Sequence, residues 1–180
     1  AGDEVADPRP YAEILRQWSS IHPEFSYLPR KFKLAVTGAP NDRAAIQVHD
    51  IGLEIKRNEA GDLGFAVYVG GGQGRTPMIA KKIRDFLPEE DLLTYCEAIL
   101  RVYNLDGRRD NKYKARIKIL VRALTPEVFA EKVEAEWERT KDSYSKLTSE
   151  EIERAKGFFT EPAYEQINNA VAQAAVDAQA

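Results

Sequence analysis

A stretch of alternating apolar residues constrains the fold of this chain more than any other feature. Ile51, Leu53 and Ile55 alternate with other residues, a polar turn containing Gly61 follows, and the alternation resumes over residues 63–69. An apolar residue at every second position is typical of a strand that is buried on one face. Two such strands joined by a short turn predict an antiparallel hairpin. The chain must therefore build a β-sheet.

Helical patterns lie on both sides of this hairpin. Asp7 followed by Pro8 predicts the start of a short, docked helix, and three more helix starts follow later. These lie at Pro88, Thr125 and Thr148. Thr148 and Glu151 have the spacing of a capping box, and the Ala-rich residues 169–180 predict one more helix. Because strands cluster in the first half and helices in the second, we predict an α+β fold: a mixed sheet with a β-hairpin, flanked by helices in a layered sheet-and-helix sandwich.

Another strand is predicted from Pro29 through residue 37. Phe32 and the apolar residues after it share one parity, whereas Lys31 and Lys33 share the other. On one strand face, two such lysines are about 7 Å apart. Ammonium groups held that close repel each other, so the pair is most useful with an anion between them. The alternative is a solvated edge strand whose lysines oppose aggregation.

A glycine-rich stretch follows the second hairpin strand directly, as Gly70, Gly71 and Gly72. Glycine lets the backbone turn tightly and approach a ligand, and its exposed amides can bind anionic oxygens. The stretch lacks the Gly-Lys-Ser/Thr ending of a Walker loop, and Arg75 stands where a Rossmann pattern needs its third glycine. A ligand site and a mobile loop both remain open.

The strongest charge cluster lies in residues 108–118, with six cations and one acid in a chain of net charge -3. Residues 126–154 hold nine acids and five bases, so the charges are sorted and the molecule should have a basic side. By itself, a basic patch is compatible with a solvated helix, a polyanionic cofactor or nucleic acid.

Other chemistry has little support. The single cysteine, Cys96, cannot complete a metal ligand set, and His22 and His49 have no companions at ligand spacing, so we expect no metal site. Charged residues interrupt every long apolar run, so we expect a soluble protein and no membrane contact. The start Ala1-Gly2-Asp3 has no initiator Met and no leader, from which we expect a cytoplasmic piece of a longer protein.

Taken together and in this order, three segments resemble the sirohaem domain of the nitrite and sulfite reductases. They are Tyr27-Leu28-Pro29-Arg30-Lys31-Phe32-Lys33, Val69-Gly70-Gly71-Gly72, and the basic run from Gly107 to Lys118. The resemblance covers roughly residues 8–140. It implies a parent oxidoreductase that reduces sulfite to sulfide or nitrite to ammonia by six electrons, at sirohaem coupled to a [4Fe-4S] cluster.

The same resemblance implies roles for nine residues at the cofactor. They are Arg30, Lys31, Lys33, Gly70, Gly71, Gly72, Arg109, Lys114 and Arg116. The first three match cations that contact the sirohaem carboxylates and the anionic substrate, and Lys31 and Lys33 are the catalytic candidates. The glycines would let the backbone approach the macrocycle. The last three would support the acidic rim of the cofactor or a neighbouring segment.

One departure from the family bears on activity. Its cluster is held by four cysteines in Cys-x5-Cys and Cys-x3-Cys motifs, and this sequence has neither. Cys96 lies in the apolar stripe of a predicted helix, so we expect an inert core thiol. We therefore expect the segment to bind no cluster and to be inactive alone. The expected partners are sulfite or nitrite, the rest of the parent chain, and a ferredoxin or flavoprotein electron donor, with no nucleic acid.

We expect three regions: residues 1–24 as an N-terminal linker and helix, 25–141 as the sirohaem-type domain, and 142–180 as a C-terminal helical extension. Two other interpretations remain. One is an anion- or RNA-binding α+β module, for which Tyr68 and Tyr113 are the aromatic residues close to the basic elements. The other is a structural domain that makes subunit contacts through its acidic helices.

Overall fold

The computed structural model describes residues 2–143, 146–160, 163, 173–174 and 177–178. Its strands are β1 (Leu34–Thr37), β2 (Ile51–Arg57), β3 (Leu63–Val69) and β4 (Lys81–Pro88). Its α-helices are α1 (Arg9–Ile21), α2 (Leu92–Asp106), α3 (Ile117–Leu124), α4 (Pro126–Thr140) and α5 (Ser149–Lys156). The helix predicted over residues 169–180 falls mostly outside the described residues.

The four strands form one mixed sheet in the order β1-β2-β3-β4. Strands β2 and β3 make the predicted antiparallel hairpin, with Ile51 opposite Val69 at one end and Arg57 opposite Leu63 at the other. Strand β1 pairs with β2 in parallel and β4 pairs with β3 antiparallel. The predicted α+β class, with a hairpin inside a mixed sheet flanked by helices, is confirmed.

The prediction that the first strand begins at Pro29 is wrong, because β1 begins only at Leu34. The carbonyl of Lys33 still accepts from the N–H of Ile51 in β2 at 3.1 Å, but the N–H of Lys33 donates to a carboxylate oxygen of Asp50 at 2.9 Å, and the strand pairing ends there. The alternation itself holds: Phe32 packs on the core residue Tyr103, with ring centroids 5.9 Å apart, and the two lysines beside it are exposed.

Helices α1, α2, α4 and α5 begin close to the predicted positions, whereas no sequence pattern predicts the start of α3 at Ile117. Asp7 accepts a hydrogen bond from the N–H of Arg9 at 2.9 Å, and α1 begins there. The hydroxyl of Thr125 accepts from the N–H of Val128 at the start of α4, and Thr148 forms a capping box at the start of α5. Helix α2 begins after a single 3-10 turn, Glu89–Asp91. Local capping chemistry thus sets the starts of α4 and α5, whereas the N-caps of α1 and α2 make no side-chain capping bond.

One hydrophobic core connects the sheet to the helices. Apolar residues of β2, β3 and α2 belong to one cluster; α2 is buried along most of its length and packs on α4. Residues of α1 and α5 join the same core, and these two helices pack on each other. None of the helices in the described residues is both long and apolar enough to cross a membrane.

A cationic cleft as the candidate functional site

Two basic segments that are far apart in sequence meet at one end of the sheet. The guanidinium of Arg30, before β1, donates to the carbonyl of Lys112, before α3, at 3.1 Å. The guanidinium of Arg109 likewise donates to the carbonyl of Tyr27. Both bonds join the segment before β1 to the basic run before α3, so the fold brings together the two positive regions of the sequence.

A cleft of about 470 Å³ opens between these segments and the loop after β3. Six of its thirteen lining residues are cations: Arg30, Lys31, Lys33, Arg75, Arg116 and Lys118. Among the residues that the structure describes, no aspartate or glutamate lines the cleft. Like charges in one cavity repel each other, and a bound anion relieves that repulsion. The cleft is therefore built to receive a negatively charged ligand.

Lys31 and Lys33 both line this cleft and both are exposed. Phe32, between them, turns to the core, which is what keeps its two neighbours on the opposite side. Although the segment is not a strand, its extended backbone preserves the period of two that the sequence indicated. The two ammonium groups therefore belong to one cavity.

The loop of residues 70–78, here called the glycine loop, forms a third wall. Gly72 and Met78 exchange two backbone hydrogen bonds of 2.9 and 2.8 Å, which close the loop at its base. The ammonium group of Lys118 donates to the carbonyls of Gln73 at 3.0 Å and Thr76 at 2.6 Å. Two backbone hydrogen bonds thus close the glycine loop, and the ammonium group of Lys118 attaches the loop to α3.

Lys118 is 6% exposed, unusually little for a lysine. Burial lowers its pKa, and the neighbouring positive charge of Arg116 lowers it further. Sequence reasoning included Lys118 in the basic run but gave it no role. Its one sequence signal was its place in that run, because a lysine that bonds the backbone of a distant loop looks in sequence like any other lysine.

The three glycines have different surroundings. A methyl group at Gly72 would lie 3.0 Å from Cδ of Lys118, inside the cleft. A methyl group at Gly71 would lie 2.3 Å from the carbonyl oxygen of Gln47, and one at Gly70 would meet Val121. Gly72 lines the cleft, whereas Gly70 and Gly71 pack against the protein itself.

Asp50 lies directly behind the cleft and is fully buried. One carboxylate oxygen accepts from the guanidinium of Arg116, at 2.8 Å from Nη2 and 3.3 Å from Nε, and the other accepts from the N–H of Lys33. Its backbone carbonyl accepts from the N–H of Gly70 at 3.0 Å. Sequence reasoning missed Asp50, because a single acid before a strand carries no motif.

Two of the sequence-predicted residues stand apart from the cleft. Arg109 lines a separate cleft of about 420 Å³, where it also donates to the carbonyl of Asn104 at 3.0 Å. Lys114 is exposed and is not among the residues that line the cationic cleft. The structure therefore brings Arg30, Lys31, Lys33, Gly72 and Arg116 together, and places the other four predicted residues around them.

The remaining candidate groups do not suit an iron–sulfur cluster. Cys96 is fully buried in α2, and burial raises the pKa of its thiol to about 12. Across the described part of the chain, no three His, Cys, Asp or Glu side chains are placed to hold a metal ion. His22 instead faces Glu97, with 3.2 Å between Nε2 and the carboxylate. With one cysteine, the chain does not fit a four-cysteine cluster, whereas its cationic cleft does fit a polyanionic ligand.

Comparison with known proteins agrees with this chemistry. Residues 1–141 match the family described as the nitrite and sulphite reductase 4Fe-4S domain. A sulfite reductase (ferredoxin) of Synechococcus elongatus is 38% identical over 151 residues, covering 74% of this chain and 24% of that protein. A chloroplastic ferredoxin–nitrite reductase of Arabidopsis thaliana is 31% identical over 137 residues, covering 73% and 23%.

A solved structure shows the same fold. The NirA protein of Mycobacterium tuberculosis superposes with a TM-score of 0.66 at 29% identity, covering 77% of this chain and 25% of that one. The chain spans about a quarter of the length of the relatives it matches.

Proposed function

We propose that this chain, which belongs to the nitrite and sulphite reductase 4Fe-4S domain family, forms the cationic wall of a site for sirohaem and substrate. The parent enzyme would reduce sulfite to sulfide or nitrite to ammonia. One observation carries the proposal: six cations and no acid line a single cleft in a chain of net charge -3. Such a cavity is suited to a carboxylate-rich cofactor and an anionic substrate together.

When bound, sirohaem coupled to a [4Fe-4S] cluster would pass electrons from the external donor to the substrate. The cleft suits the carboxylates of sirohaem, with Arg30, Lys31, Lys33 and Arg116 as the residues that would hold them. The cluster does not fit this chain, so we propose that its cysteines come from the rest of the parent protein. The chain by itself would then be catalytically inactive.

The lysines and the arginines of the cleft would have different roles, because their side chains differ in chemistry. Lys31 and Lys33 each present three N–H donors on a flexible stem, so they can hold a small oxyanion and donate protons to it as oxygens leave. The planar guanidinium groups of Arg30 and Arg116 are held by Lys112 and Asp50, and a fixed guanidinium suits a carboxylate. Catalysis would fall to the lysines and cofactor binding to all four.

The surrounding residues would support this site. Gly72 keeps the cleft open beside Lys118, and Gly70 and Gly71 bring the glycine loop close to the core. The bond from Arg109 to the carbonyl of Tyr27 supports a role in holding the segment before β1. For Lys114, which is exposed, we propose a contact with the rest of the parent chain.

The proposal extends to organisation and partners. Residues 25–141 would form the sirohaem-type domain, extended by residues 1–24 and 142–180 through the packing of α1 on α5. Ferredoxin or a flavoprotein would donate electrons, because relatives are named as ferredoxin-type sulfite reductases and as an NADPH-type haemoprotein component. We propose a cytoplasmic location for the protein.

Titration of the chain with sirohaem, followed by absorbance, tests the proposal. The Lys31→Gln/Lys33→Gln double variant should bind at least about tenfold more weakly, a loss of about 1.4 kcal/mol, with a reduced dependence on salt. The matched control is Lys132→Gln/Lys156→Gln, which removes two cations of similar exposure that do not line the cleft. Equal weakening by both pairs, or no saturable binding at low salt, would contradict the proposal.

The RNA-binding interpretation is tested in the same experiment by a single-stranded RNA oligonucleotide. On the hairpin, which the structure describes completely, Phe65 is buried and Tyr68 donates its hydroxyl hydrogen to Glu54 at 2.9 Å. The ring of Phe65 is therefore closed to base stacking and that of Tyr68 is half-buried. Tyr113 is exposed and lines the cleft, so it offers the more accessible ring. A salt-dependent gel shift tighter than sirohaem binding, and equally sensitive to the two cleft lysines, would favour the RNA module.

A further inference from the structure

We infer that Asp50 is a positioning residue for the cationic cleft. Its buried carboxylate orients Arg116 and the backbone of Lys33, so that removing its negative charge weakens anion binding although the cleft becomes more positive. This inference rests on the proposed function and deepens it, because it assigns an acid to the construction of an anion site.

The geometry uses every acceptor of this residue. Oδ1 accepts from two nitrogens of Arg116, Oδ2 accepts from the N–H of Lys33 at 2.9 Å, and the main-chain carbonyl accepts from Gly70. The three partners belong to the segment before β1, the start of the glycine loop and the start of α3. Asp50 is therefore the point at which the three walls of the cleft are joined.

Burial makes this arrangement rigid. Asp50 is fully buried and the side chain of Arg116 is 12% exposed. A carboxylate without water must be paired, and a charged hydrogen bond is shorter and stronger than a neutral one. With Nε and Nη2 on Asp50, Nη1 of Arg116 makes no hydrogen bond within the described residues and remains available to a ligand in the cleft.

A positioning role for Asp50 and a purely electrostatic role predict opposite changes in anion affinity for the same substitution. Asp50→Asn removes a negative charge behind the cleft, and Coulomb attraction alone would then make an anion bind more tightly. If Asp50 orients Arg116, binding becomes weaker, because the amide of D50N keeps only an uncharged oxygen for the guanidinium and turns its NH2 group toward the N–H of Lys33. Both groups are then held less firmly and must be ordered each time a ligand binds. We expect sulfite to bind about tenfold more weakly to D50N than to the wild-type chain.

Calorimetric titration with sulfite at constant ionic strength measures this effect. The charge control is Asp85→Asn, which removes an exposed acid that pairs with Lys82 and does not line the cleft. D85N should bind sulfite as the wild type does, or slightly more tightly. Wild-type or tighter binding by D50N would overturn the inference and leave the proposed function standing.

A second measurement decides the inference even if the wild-type chain binds no sulfite, which would count against the proposed function. In a ¹⁵N–¹H correlation spectrum, the Nε–H of Arg116 should exchange with solvent more slowly in the wild type than in D50N, where its acceptor is an uncharged oxygen. Unchanged protection in D50N would overturn the inference. If D50N does not fold, Arg116→Lys replaces it in the experiment. This variant keeps the positive charge but cannot present two nitrogens to Asp50, so the resonances of the Lys33 amide and the Asp50 carboxyl group should shift. Unshifted resonances would refute the positioning role of Asp50.

Discussion

Replacing Gly71 with alanine should destabilise the chain by about 3 kcal/mol, the upper end of the range for overpacking a close-packed site. The added methyl group would lie 2.3 Å from the carbonyl oxygen of Gln47 and 2.6 Å from that of His49. Both are backbone atoms, and the first accepts a hydrogen bond from the N–H of Ala80 at 2.8 Å. Relief of the clash therefore requires the backbone to move and that bond to lengthen.

Urea unfolding measures the loss. With a slope of about 2 kcal/mol per molar urea, the midpoint should fall by about 1.5 M. Gly72→Ala is the internal comparison, because its methyl group would meet the flexible stem of Lys118 at 3.0 Å and should cost less than about 1 kcal/mol. Gly61→Ala controls for backbone strain: its φ is +90° with nothing nearby, for a cost of about 1–2 kcal/mol.

The two variants should rank in the opposite order for anion binding: Gly72→Ala should affect binding directly, although it affects stability less than Gly71→Ala. Gly72→Ala narrows the cleft and should weaken anion binding at nearly wild-type stability, whereas Gly71→Ala acts through folding. Wild-type stability in G71A together with loss of sirohaem binding would refute this reasoning, because Gly71 would then contact the ligand and not the protein.

Two further predictions concern the thiol and a helix cap. At pH 8 the thiol of Cys96 should not react with an aromatic disulfide reagent in the folded chain, because the thiol is fully buried and burial raises its pKa to about 12. It should react fully in urea. Fast reaction without urea would show that the core is open to the reagent. Thr148→Ala should lower the free energy of unfolding by about 1 kcal/mol, because it breaks the capping box of α5. The neighbouring Ser149→Ala should change the free energy of unfolding little. Equal losses in the two variants would contradict the capping role.

Much of the fold could be predicted because its signals are local. The hairpin follows from a period of two and a turn, and the starts of α4 and α5 follow from Thr-Pro and Thr-x-x-Glu patterns that act within one helical turn. Strand β4 could not be predicted in this way. Its register against β3 shifts between Phe65 and Tyr68, which breaks the alternation, and Arg84 in its middle is half-buried over the ring of Trp137 at 4.5 Å.

The candidate site was only partly predictable. The family resemblance pointed to Arg30, Lys31, Lys33 and Arg116, and the structure places all four around one cleft. Lys118 remained without a role because its function depends on two backbone carbonyls of a distant loop. A hydrogen bond to a carbonyl can be made to any residue type, so it leaves no mark in the partner's sequence.

By itself, the order of the amino acids determined the period of the hairpin strands, the starts of α4 and α5, the density of positive charge and the family, since these depend on neighbours along the chain. Only the tertiary structure decided which charges share a cavity. A parallel pairing of β1 with β2 and a buried carboxylate at Asp50 bring the segment before β1, the glycine loop and α3 to one place. Such contacts depend on distance in space, and in a packed core that distance follows from how whole elements fit together.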